Sequence, residues 1–466
     1  MANSKKNSKN QKILITVIAV ILVIIIVTAI VLYFVKPSIY HKLLGTGEHT
    51  WSEWETVEPT CGADGKKTRT CTVCGDTDIV PIPATGNHDY DEDEVCKVCG
   101  FDNKTPSVEV VSNSTLSIHF LELGNKNTGD CVLIKCGDTE VLIDAGSKQN
   151  SAPALKTYID QYCTDNVLEY VIATHSDEDH ISGFFGSKSG DTRTGLLYQY
   201  EVETIIHFDN TTHSEYTDKG NLTLYGQFLE AVNYCKDTYD TAVYTASQCY
   251  DQSIDGAKRQ YFLDDSQKIS LNILYNYYYY NSSKDNNEHS VVTLLTEETE
   301  AGKRNYLFTG DLEGDGESRM VDYYKSVPAD CKSDYNVLPE VELFKAGHHG
   351  SGTSSTEKLL KVIKPKNVAI CCCCGAPEYT LDPANVFPYN VTVKRLMDFT
   401  ENIYITSLAV NVPPIGTNGK YPEKEWDAVS MNGNIVFYST GANLKHWCSN
   451  NDTVLKDTEW YQENRG

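Results

Sequence analysis

The sequence predicts an α/β sandwich, in which two packed β-sheets are covered by helices, preceded by one membrane-spanning helix and a small cysteine-rich module. Three observations support this prediction. Residues 13–35 are apolar and uncharged, residues 47–101 carry two CxxC pairs, and residues 114–450 alternate strand-like with helical patterns. The early strand-like runs adjoin as hairpins and the helices come later, which favours packed sheets over a doubly wound parallel sheet.

The N-terminal segment, residues 13–35, is long enough to cross a membrane. A helix of this length spans about 35 Å, against a hydrocarbon core of about 30 Å. A cleaved signal peptide is the alternative, but its apolar region is shorter and ends in small residues, whereas this one ends in Tyr33, Phe34 and Val35. Lysines are denser before the segment than after it. The positive-inside rule therefore predicts a cytoplasmic basic tail, residues 1–12, and an extracellular remainder in a single-pass membrane protein.

Charge separates the chain into a basic start and an acidic body. Lys+Arg number 40 and Asp+Glu 64, for a net charge of −24, yet residues 1–42 contain lysines and no acidic residue, so the rest is more acidic still. A body this acidic is a poor general binder of polyanions, which need a basic surface. Its hydrophobic content of 40% also excludes a disordered acidic tail.

The cysteine-rich module, residues 47–101, has the spacing C-x2-C-x21-C-x2-C. Two CxxC-Gly turns at this spacing resemble a zinc ribbon and predict a structural Zn²⁺ bound by Cys71, Cys74, Cys96 and Cys99. Another possible ligand set is His49, Cys61, Cys71 and Cys74. Two disulfides are the alternative to a metal, although CxxC pairs make strained disulfides. The module has no catalytic surroundings, so we expect it to serve as a stalk or spacer.

The large domain, residues 114–450, supplies the strands and helices of the sandwich. The strand-like runs are 116–123, 131–135, 141–144, 170–174, 204–208, 270–275, 290–296, 306–309, 341–345, 367–373 and 434–438. The helical runs are 154–162, 224–234, 317–324, 356–363 and 391–399. Gly129-Asp130 and Gly137-Asp138 are predicted turns. Cys371 to Cys374 fall on alternating faces of a strand and are predicted to be small core residues rather than a metal site.

Potential metal ligands occur where three predicted strands end. Asp311 follows the run 306–309, and the others follow 170–174 and 341–345, namely His175, Asp177, Asp179, His180, His348 and His349. Carboxylates with neutral imidazoles suit Zn²⁺, Mn²⁺ or Fe²⁺. Any one of these motifs alone could be an acidic loop or a helix cap. Three strand ends in succession predict a metal site.

The ordered motifs resemble the metallo-β-lactamase superfamily. Its pattern H-x-[HD]-x-D-H is matched by residues 175–180, its bridging Asp by Asp311 and its last His by His348. The closer resemblance is to the extracellular hydrolase domain of ComEC-type competence proteins, and it is carried by FLELG with TGD at 120–130, VLIDAG at 141–146, NEHSVV at 287–292, FTGDL and GHHGS. The resemblance covers nearly all of residues 115–440 and implies a four-layer αββα sandwich.

The resemblance also implies roles for these residues. One or two divalent transition metals, Zn or Mn, would be bound by His175, Asp177, Asp179, His180, Asp311 and His348. Asp179 would also orient the nucleophile, and His349 would lie over the leaving group or support a ligand. Asp144 would be structural, and Gly146 and Gly183 would let the backbone approach closely. The middle histidine of the superfamily has no clear counterpart, and either His289 or His207 would have to supply it.

The expected function is a membrane-anchored extracellular hydrolase that uses a metal-bound hydroxide. It is expected to be a phosphodiesterase acting on nucleic acid or on a small-molecule or cell-wall phosphodiester, with nucleic acid disfavoured by the acidic body. One alternative is a hydrolase of lactams, esters or lactones. Another is a surface binding module with a degenerate metal site, which the cysteine-rich module and the tyrosine-rich segment 276–281 would suit.

Overall fold

The computed structural model describes residues 49–57, 65–73, 77–82, 111, 114–189, 192–328, 332, 336–378, 380–422 and 426–465. The chain divides into two units, Met1–Lys104 and Thr105–Gly466. The predicted membrane helix and four of the module's cysteines, Cys61, Cys74, Cys96 and Cys99, lie outside the described residues. Within the described ranges, no helix is both long enough and apolar enough to cross a membrane.

The first unit contains a three-stranded antiparallel sheet. Its strands are β1 (Glu55–Val57), β2 (Gly65–Thr70) and β3 (Thr77–Ile82), in that spatial order. Cys71 follows β2 directly, is buried, and forms an isolated β-bridge with Trp51. The Arg69 guanidinium lies over two indole rings, at 4.8 Å from Trp51 and 4.3 Å from Trp54. The metal prediction for this module stays a prediction, because only one of the four predicted ligands is described.

The second unit contains most of the secondary structure. Its strands are β4 (Leu116–Phe120), β5 (Val132–Cys136), β6 (Thr139–Ile143), β7 (Val167–Ala173), β8 (Lys188–Ser189), β9 (Thr192–Arg193), β10 (Glu201–His207), β11 (Ala242–Thr245), β12 (Gln260–Phe262), β13 (Ile269–Ile273), β14 (Thr293–Thr299), β15 (Gly302–Phe308), β16 (Leu343–Lys345), β17 (Asn367–Cys374), β18 (Ile403–Val410), β19 (Asp427–Ser430), β20 (Ile435–Ser439) and β21 (Leu444–Cys448). Its helices are α1 (Ala152–Ile159), α2 (Glu178–Phe185), α3 (Leu224–Tyr239), α4 (Ala246–Asp251), α5 (Gly314–Ser326), α6 (Glu357–Ile363), α7 (Asn390–Met397) and α8 (Glu459–Asn464).

Two eight-stranded mixed sheets organise this unit. The first has the order β11-β10-β7-β6-β5-β4-β20-β21 and the second the order β12-β13-β14-β15-β16-β17-β18-β19. Both sheets contain a run of parallel strands, β6, β7, β10 and β11 in the first and β15 to β18 in the second, and the remaining strands pair antiparallel. The hairpin-first pattern of the sequence is therefore confirmed for β4 to β6, which pair antiparallel in succession.

The core has two layers of apolar packing, one between the sheets and one under the outer helices. Successive residues of β15 show this, since Phe308 belongs to the layer that also contains β4 and β5, whereas Leu307 packs with Met320 of α5 and Leu360 of α6. Successive residues of a strand point to opposite faces, so a sheet with both faces covered needs this continuous apolar character. The result is two sheets covered by helices, as the sequence predicts.

The cysteine run lies on β17 as predicted. Cys371 packs in the layer between the sheets, while Cys372 and Cys374 pack under the outer helices, and all four of these cysteines are buried. Burial raises the pKa of each of these thiols above its ordinary value. They behave as small apolar side chains, not as thiolate ligands.

Candidate metal centre

The potential ligands meet because four strand ends lie at one edge of the sandwich. β6 and β7 are parallel and in register at Ile143 and Ile172, so Asp144 and the segment after β7 leave the first sheet side by side. β15 and β16 are parallel with Phe308 beside Lys345, which brings the segment containing Asp311 next to the GHHG turn. The carboxyl ends of parallel strands meet at the same edge of a sheet, which is where ligand sites form in α/β folds.

Four buried side chains converge at this edge, those of Asp130, His180, Asp311 and His349. Their potential ligand atoms all lie within 4.8 Å of one another. His180 Nε2 lies 3.2 Å from His349 Nε2 and 3.1 Å from Asp311 Oδ2. His349 Nε2 lies 3.2 Å from Asp311 Oδ2 and 3.4 Å from Asp179 Oδ2. With metal–ligand bonds of about 2.0–2.2 Å, ligands of one tetrahedral ion are separated by about this much. The two imidazoles, with Asp311 Oδ2 and Asp179 Oδ2, therefore fit one divalent transition metal.

The opposite nitrogens of both imidazoles face other oxygen atoms, and a carboxylate lies beside each. His180 Nδ1 lies 2.8 Å from Asp144 Oδ2, and Asp144 also accepts from the Thr174 amide at 2.7 Å. His349 Nδ1 lies 3.0 Å from the Cys371 carbonyl oxygen and 3.1 Å from Asp130 Oδ1. Metal-binding histidines are oriented in this way, because a carboxylate on one ring nitrogen fixes the tautomer and directs the other nitrogen at the ion. Asp130 thus lies behind His349 and supports it.

Asp130 is a functional residue that the turn prediction misses. Gly129-Asp130 is not a turn: Asp130 is buried, its amide donates to the Asp179 carbonyl at 3.1 Å, and its carbonyl accepts from the Gly146 amide. The turn was predicted because Gly-Asp pairs are common in turns. The motif TGD of the resemblance does include this residue.

His175 supplies the clearest sign that the site is built for a cation. Its side chain is fully buried, yet its Nε2 has no hydrogen-bond partner within the described residues. Burial lowers the pKa of His175, so the ring is neutral and offers a lone pair. A buried polar atom without a partner is costly, and most have one. A metal ion next to Nε2 would remove that cost.

The paired histidines take different positions. Both have left-handed backbones, with φ of 47° at His348 and 52° at His349, which is uncommon for residues other than glycine. The turn points His349 into the cluster and leaves His348 at the rim, partly exposed, with its Nε2 3.8 Å from Asp311 Oδ2. His348 Nδ1 lies 3.2 Å from Glu313 Oε1. The structure therefore brings His349 closer to the centre than His348, the residue expected to bind the metal.

A buried lysine faces the same carboxylates. Lys345 forms an ion pair with Asp130, and its Nζ lies 3.4 Å from Asp311 Oδ1 and 3.1 Å from the Gly310 carbonyl. Burial alone would lower the pKa of Lys345, but the two carboxylates raise it above its ordinary value. Asp311 therefore presents Oδ1 to a fixed ammonium and Oδ2 to the two imidazoles.

Glycines allow the motif segments to approach as closely as predicted. A Cβ on Gly146 would lie 1.5 Å from the Asp179 carbonyl oxygen, and one on Gly183 would lie 2.2 Å from the Ala145 carbonyl oxygen. A side chain at either position would push apart the backbone that carries Asp144 and the backbone that carries Asp179.

The two histidines considered for the middle motif bond elsewhere. His207 Nδ1 lies 2.9 Å from the Phe208 carbonyl, and its ring packs on Phe228. His289 Nδ1 lies 3.1 Å from the Tyr278 carbonyl, and its Nε2 accepts from the Ser283 amide at 3.2 Å. Both rings thus have other partners that account for their orientation.

Protonation of the cluster predicts how metal affinity depends on pH. Burial alone would lower the pKa of His180 and His349, but Asp311 and the carboxylates behind the rings raise both well above the ordinary value. The raised pKa values keep protons on this pair of rings near neutral pH, so metal binding must release protons. We expect metal affinity to rise with pH up to those raised pKa values. Calorimetric titration in two buffers of different ionisation enthalpy measures the protons released, and an affinity that does not change between about pH 6 and pH 8 would contradict the prediction.

Comparison with known proteins agrees with this site. Residues 124–189, which include Asp130, Asp144 and the segment 175–180, match the family model of the metallo-beta-lactamase superfamily. Over these residues the chain is similar to a superfamily of metal-dependent hydrolases. None of the curated proteins matches the chain.

Several solved structures also match. The metallo-beta-lactamase fold protein YhfI from Bacillus subtilis is 11% identical, covering 63% of this chain and 96% of that one at a TM-score of 0.33. A putative metallo-beta-lactamase from Thermotoga maritima is 16% identical, and the match covers 42% of this chain and 79% of that one at a TM-score of 0.25. A metallo-beta-lactamase from Cronobacter sakazakii is 12% identical, and the match covers 51% of this chain and 79% of that one at a TM-score of 0.26. These likenesses are too remote to carry an argument about activity.

Proposed function

We propose that this chain is a membrane-anchored extracellular phosphodiesterase of the ComEC-like type, dependent on a divalent transition metal such as Zn or Mn. The observation that carries the catalytic part is the convergence of His180 Nε2, His349 Nε2 and Asp311 Oδ2, each within 3.2 Å of the others. The anchor rests on the apolar residues 13–35 and the lysines that precede them.

The ligand set supports hydrolytic chemistry. His180, His349, Asp311 and Asp179 would bind the ion, with Asp144 and Asp130 fixing the two rings from behind. A divalent ion bound there supplies Lewis acidity and a nucleophilic hydroxide near neutral pH. Asp179, through its carboxylate beside His349, is placed to orient the attacking group. Lys345 neutralises Asp130 and the inner oxygen of Asp311, which keeps the carboxylate-rich cluster from carrying excess negative charge.

His348 has the position of a proton donor. It lies at the rim, 3.8 Å from Asp311, and Glu313 together with Thr353 Oγ1 holds its Nδ1. A histidine whose one ring nitrogen is fixed by a carboxylate can donate a proton from the other nitrogen. Such a proton stabilises the alkoxide that leaves when a phosphodiester is cleaved. We therefore assign to His348 the leaving-group role that the sequence suggested for His349.

The rim favours a small or singly charged diester over a long polyanion. Burial and the charges of Glu313 and Asp177 raise the pKa of Asp285, so three acidic side chains lie near one another beside the site. A nucleic acid backbone approaching this rim would meet like charge, with a cost that grows with each phosphate. A cell-wall phosphodiester or another small diester fits better.

The proposal is tested with the full-length protein in detergent, supplied with Mn²⁺ or Zn²⁺ and offered bis-p-nitrophenyl phosphate or a chromogenic lactam. We expect cleavage of the diester, lost in His349→Ala and retained in His446→Ala, whose histidine is exposed and packs beside Tyr404. Cleavage of the lactam without the diester would show that the substrate class is wrong. A protein that binds metal and cleaves neither would favour a binding module.

A further inference from the structure

A separate group of potential ligands lies at the amino ends of β6 and β7. Glu140 is near the start of β6, and Cys163 and Asp165 lie in the connection between α1 and β7. Cys163 Sγ and one carboxylate oxygen from each acid lie within 4.8 Å of one another. Because β6 and β7 are parallel, this edge of the sheet is opposite the one at which Asp144 leaves β6, about 13 Å further along the strand. The group is therefore distinct from the central cluster.

Glu140 shows that this group lacks a partner. Its side chain is buried, and Lys135 forms an ion pair with Oε1, whereas Oε2 has no hydrogen-bond partner among the described residues. Burial raises the pKa of Glu140 to about 7, against the effect of Lys135. If Glu140 is charged, Oε2 is a buried anionic oxygen without a donor, and if it is protonated, the hydroxyl has no acceptor. Either state is costly, and a ligand on Oε2 would remove that cost.

The thiol and the second carboxylate are held close together by the start of β7. Asp165 Oδ1 accepts from the Val167 amide at 3.0 Å and lies 3.8 Å from Cys163 Sγ. Ligands of one tetrahedral Zn²⁺ are about this far apart, with bonds of about 2.3 Å to sulfur and 2.0–2.2 Å to oxygen. Burial raises the pKa of the Cys163 thiol to about 12, so an ion that binds Sγ displaces the thiol proton to the solvent.

We propose that Glu140, Cys163 and Asp165 bind a structural Zn²⁺, which ties the β5–β6 hairpin to the connection between α1 and β7. A thiolate among the ligands suits Zn²⁺ better than Ca²⁺, Mg²⁺ or Mn²⁺, which prefer oxygen. The charges also balance, because three anionic ligands compensate the divalent ion and the Lys135 ammonium together. Lys135 therefore does not exclude a cation. Asp165 is exposed, so water can take the fourth position on the ion.

A hydrogen-bonded cluster without an ion accounts for less of this geometry. The Val167 carbonyl accepts from the Cys163 thiol at 3.0 Å and the Val167 amide donates to Asp165, but neither bond reaches Glu140 Oε2. Glu169 does not supply a donor either, since its Oε2 accepts from the Glu140 amide at 2.7 Å. Glu169 and Asp165 instead add negative charge beside Glu140, which a bound cation would offset.

The test compares zinc contents. Full-length protein in detergent is loaded with Zn²⁺ or Mn²⁺, freed of excess metal, and analysed by plasma mass spectrometry. Cys163→Ala and Asp165→Asn should each contain one Zn²⁺ fewer per chain than the unaltered protein, because each loses an anionic ligand. Asparagine keeps an oxygen for the Val167 amide, so Asp165→Asn removes the charge and leaves the turn. Should Cys163→Ala not fold, the zinc content of Asp165→Asn decides alone.

Cys235→Ala is the matched control. Cys235 is another buried thiol, which donates to the Leu197 carbonyl at 3.1 Å, and its replacement should not change the zinc content. Zn²⁺ in the cysteine-rich module or the central cluster is common to all these proteins, so only the differences between them count. In Co²⁺-loaded protein, the near-ultraviolet thiolate-to-metal band should be weaker in Cys163→Ala than in Cys235→Ala.

Two outcomes would overturn the zinc site. The first is a zinc content of folded Asp165→Asn equal to that of the unaltered protein. The second is a loss of Mn²⁺ along with Zn²⁺ in Cys163→Ala and Asp165→Asn, since it would mean that the substitutions disturb the central cluster instead. An unchanged Mn²⁺ content with one Zn²⁺ fewer is the result that the proposal requires.

Discussion

Replacing Asp311 by Asn is expected to empty the central cluster of metal and to abolish hydrolysis. Asp311 is buried and is the one carboxylate within 3.2 Å of both His180 Nε2 and His349 Nε2 among the described residues. The amide keeps the shape but removes the charge that attracts a cation in this poorly solvated place. Loss of activity should exceed about 100-fold, the upper range for residues that only support a ligand.

Two supporting carboxylates give the graded comparison for this prediction. Asp130→Asn and Asp144→Asn should each weaken metal binding by about 10–100-fold, because they act through His349 and His180. Asp209→Asn is the matched control, since Asp209 accepts from the Ser247 amide away from the cluster and should not change metal content. If Asp311→Asn retained the full ion count, the ligand assignment would be wrong.

The strands that carry the potential metal ligands could be predicted, because these ligands directly follow buried, continuous apolar runs of sequence. The segment after β7 and the residue after FTG carry metal-type side chains at points where such runs stop. One central strand of the second sheet, β18, was not predicted, although it is mostly buried and has two neighbours. The four edge strands, β11, β12, β19 and β21, were not predicted either. Each edge strand has only one neighbour in its sheet, and several of their residues face solvent, so the apolar periodicity that reveals a strand is weak there.

The parts of the site that the sequence patterns did not reveal depend on contacts between distant segments. Which of two adjacent histidines turns inward is set by a left-handed turn at His348 and His349, and no residue of that pair signals such a backbone. Asp130 becomes an interior residue only because Lys345 and His349 come to it from the second sheet. His213 lies in an exposed polar segment whose sequence resembles an ordinary loop, and only the fold brings its Nε2 to 2.9 Å from Asp177 Oδ1.

Replacing Lys345 by Met is expected to destabilise the metal-free protein by about 3–5 kcal/mol, the usual result of removing one partner from a buried ion pair. The ammonium is buried against Asp130 and Asp311, and its loss leaves Asp130 without its lysine partner and Asp311 with one cation fewer beside it. Methionine fills much of the same volume, so the effect comes mainly from charge. Denaturant unfolding in the presence of a chelator measures it.

The metal dependence of this variant distinguishes charge balance from general packing. Carboxylates that have lost Lys345 attract a divalent ion more strongly, and a ligand that binds only the folded state stabilises it in proportion to its affinity. Added Mn²⁺ should therefore raise the stability of Lys345→Met by more than it raises that of the unaltered protein. Lys135→Met is the matched control, because it breaks another buried pair, with Glu140, on strands β5 and β6. Lys135→Met should be less stable than the unaltered protein, but Mn²⁺ should stabilise both by the same amount. If Mn²⁺ stabilised Lys345→Met by less than the unaltered protein, Lys345 would instead hold Asp311 in the position needed to bind the ion.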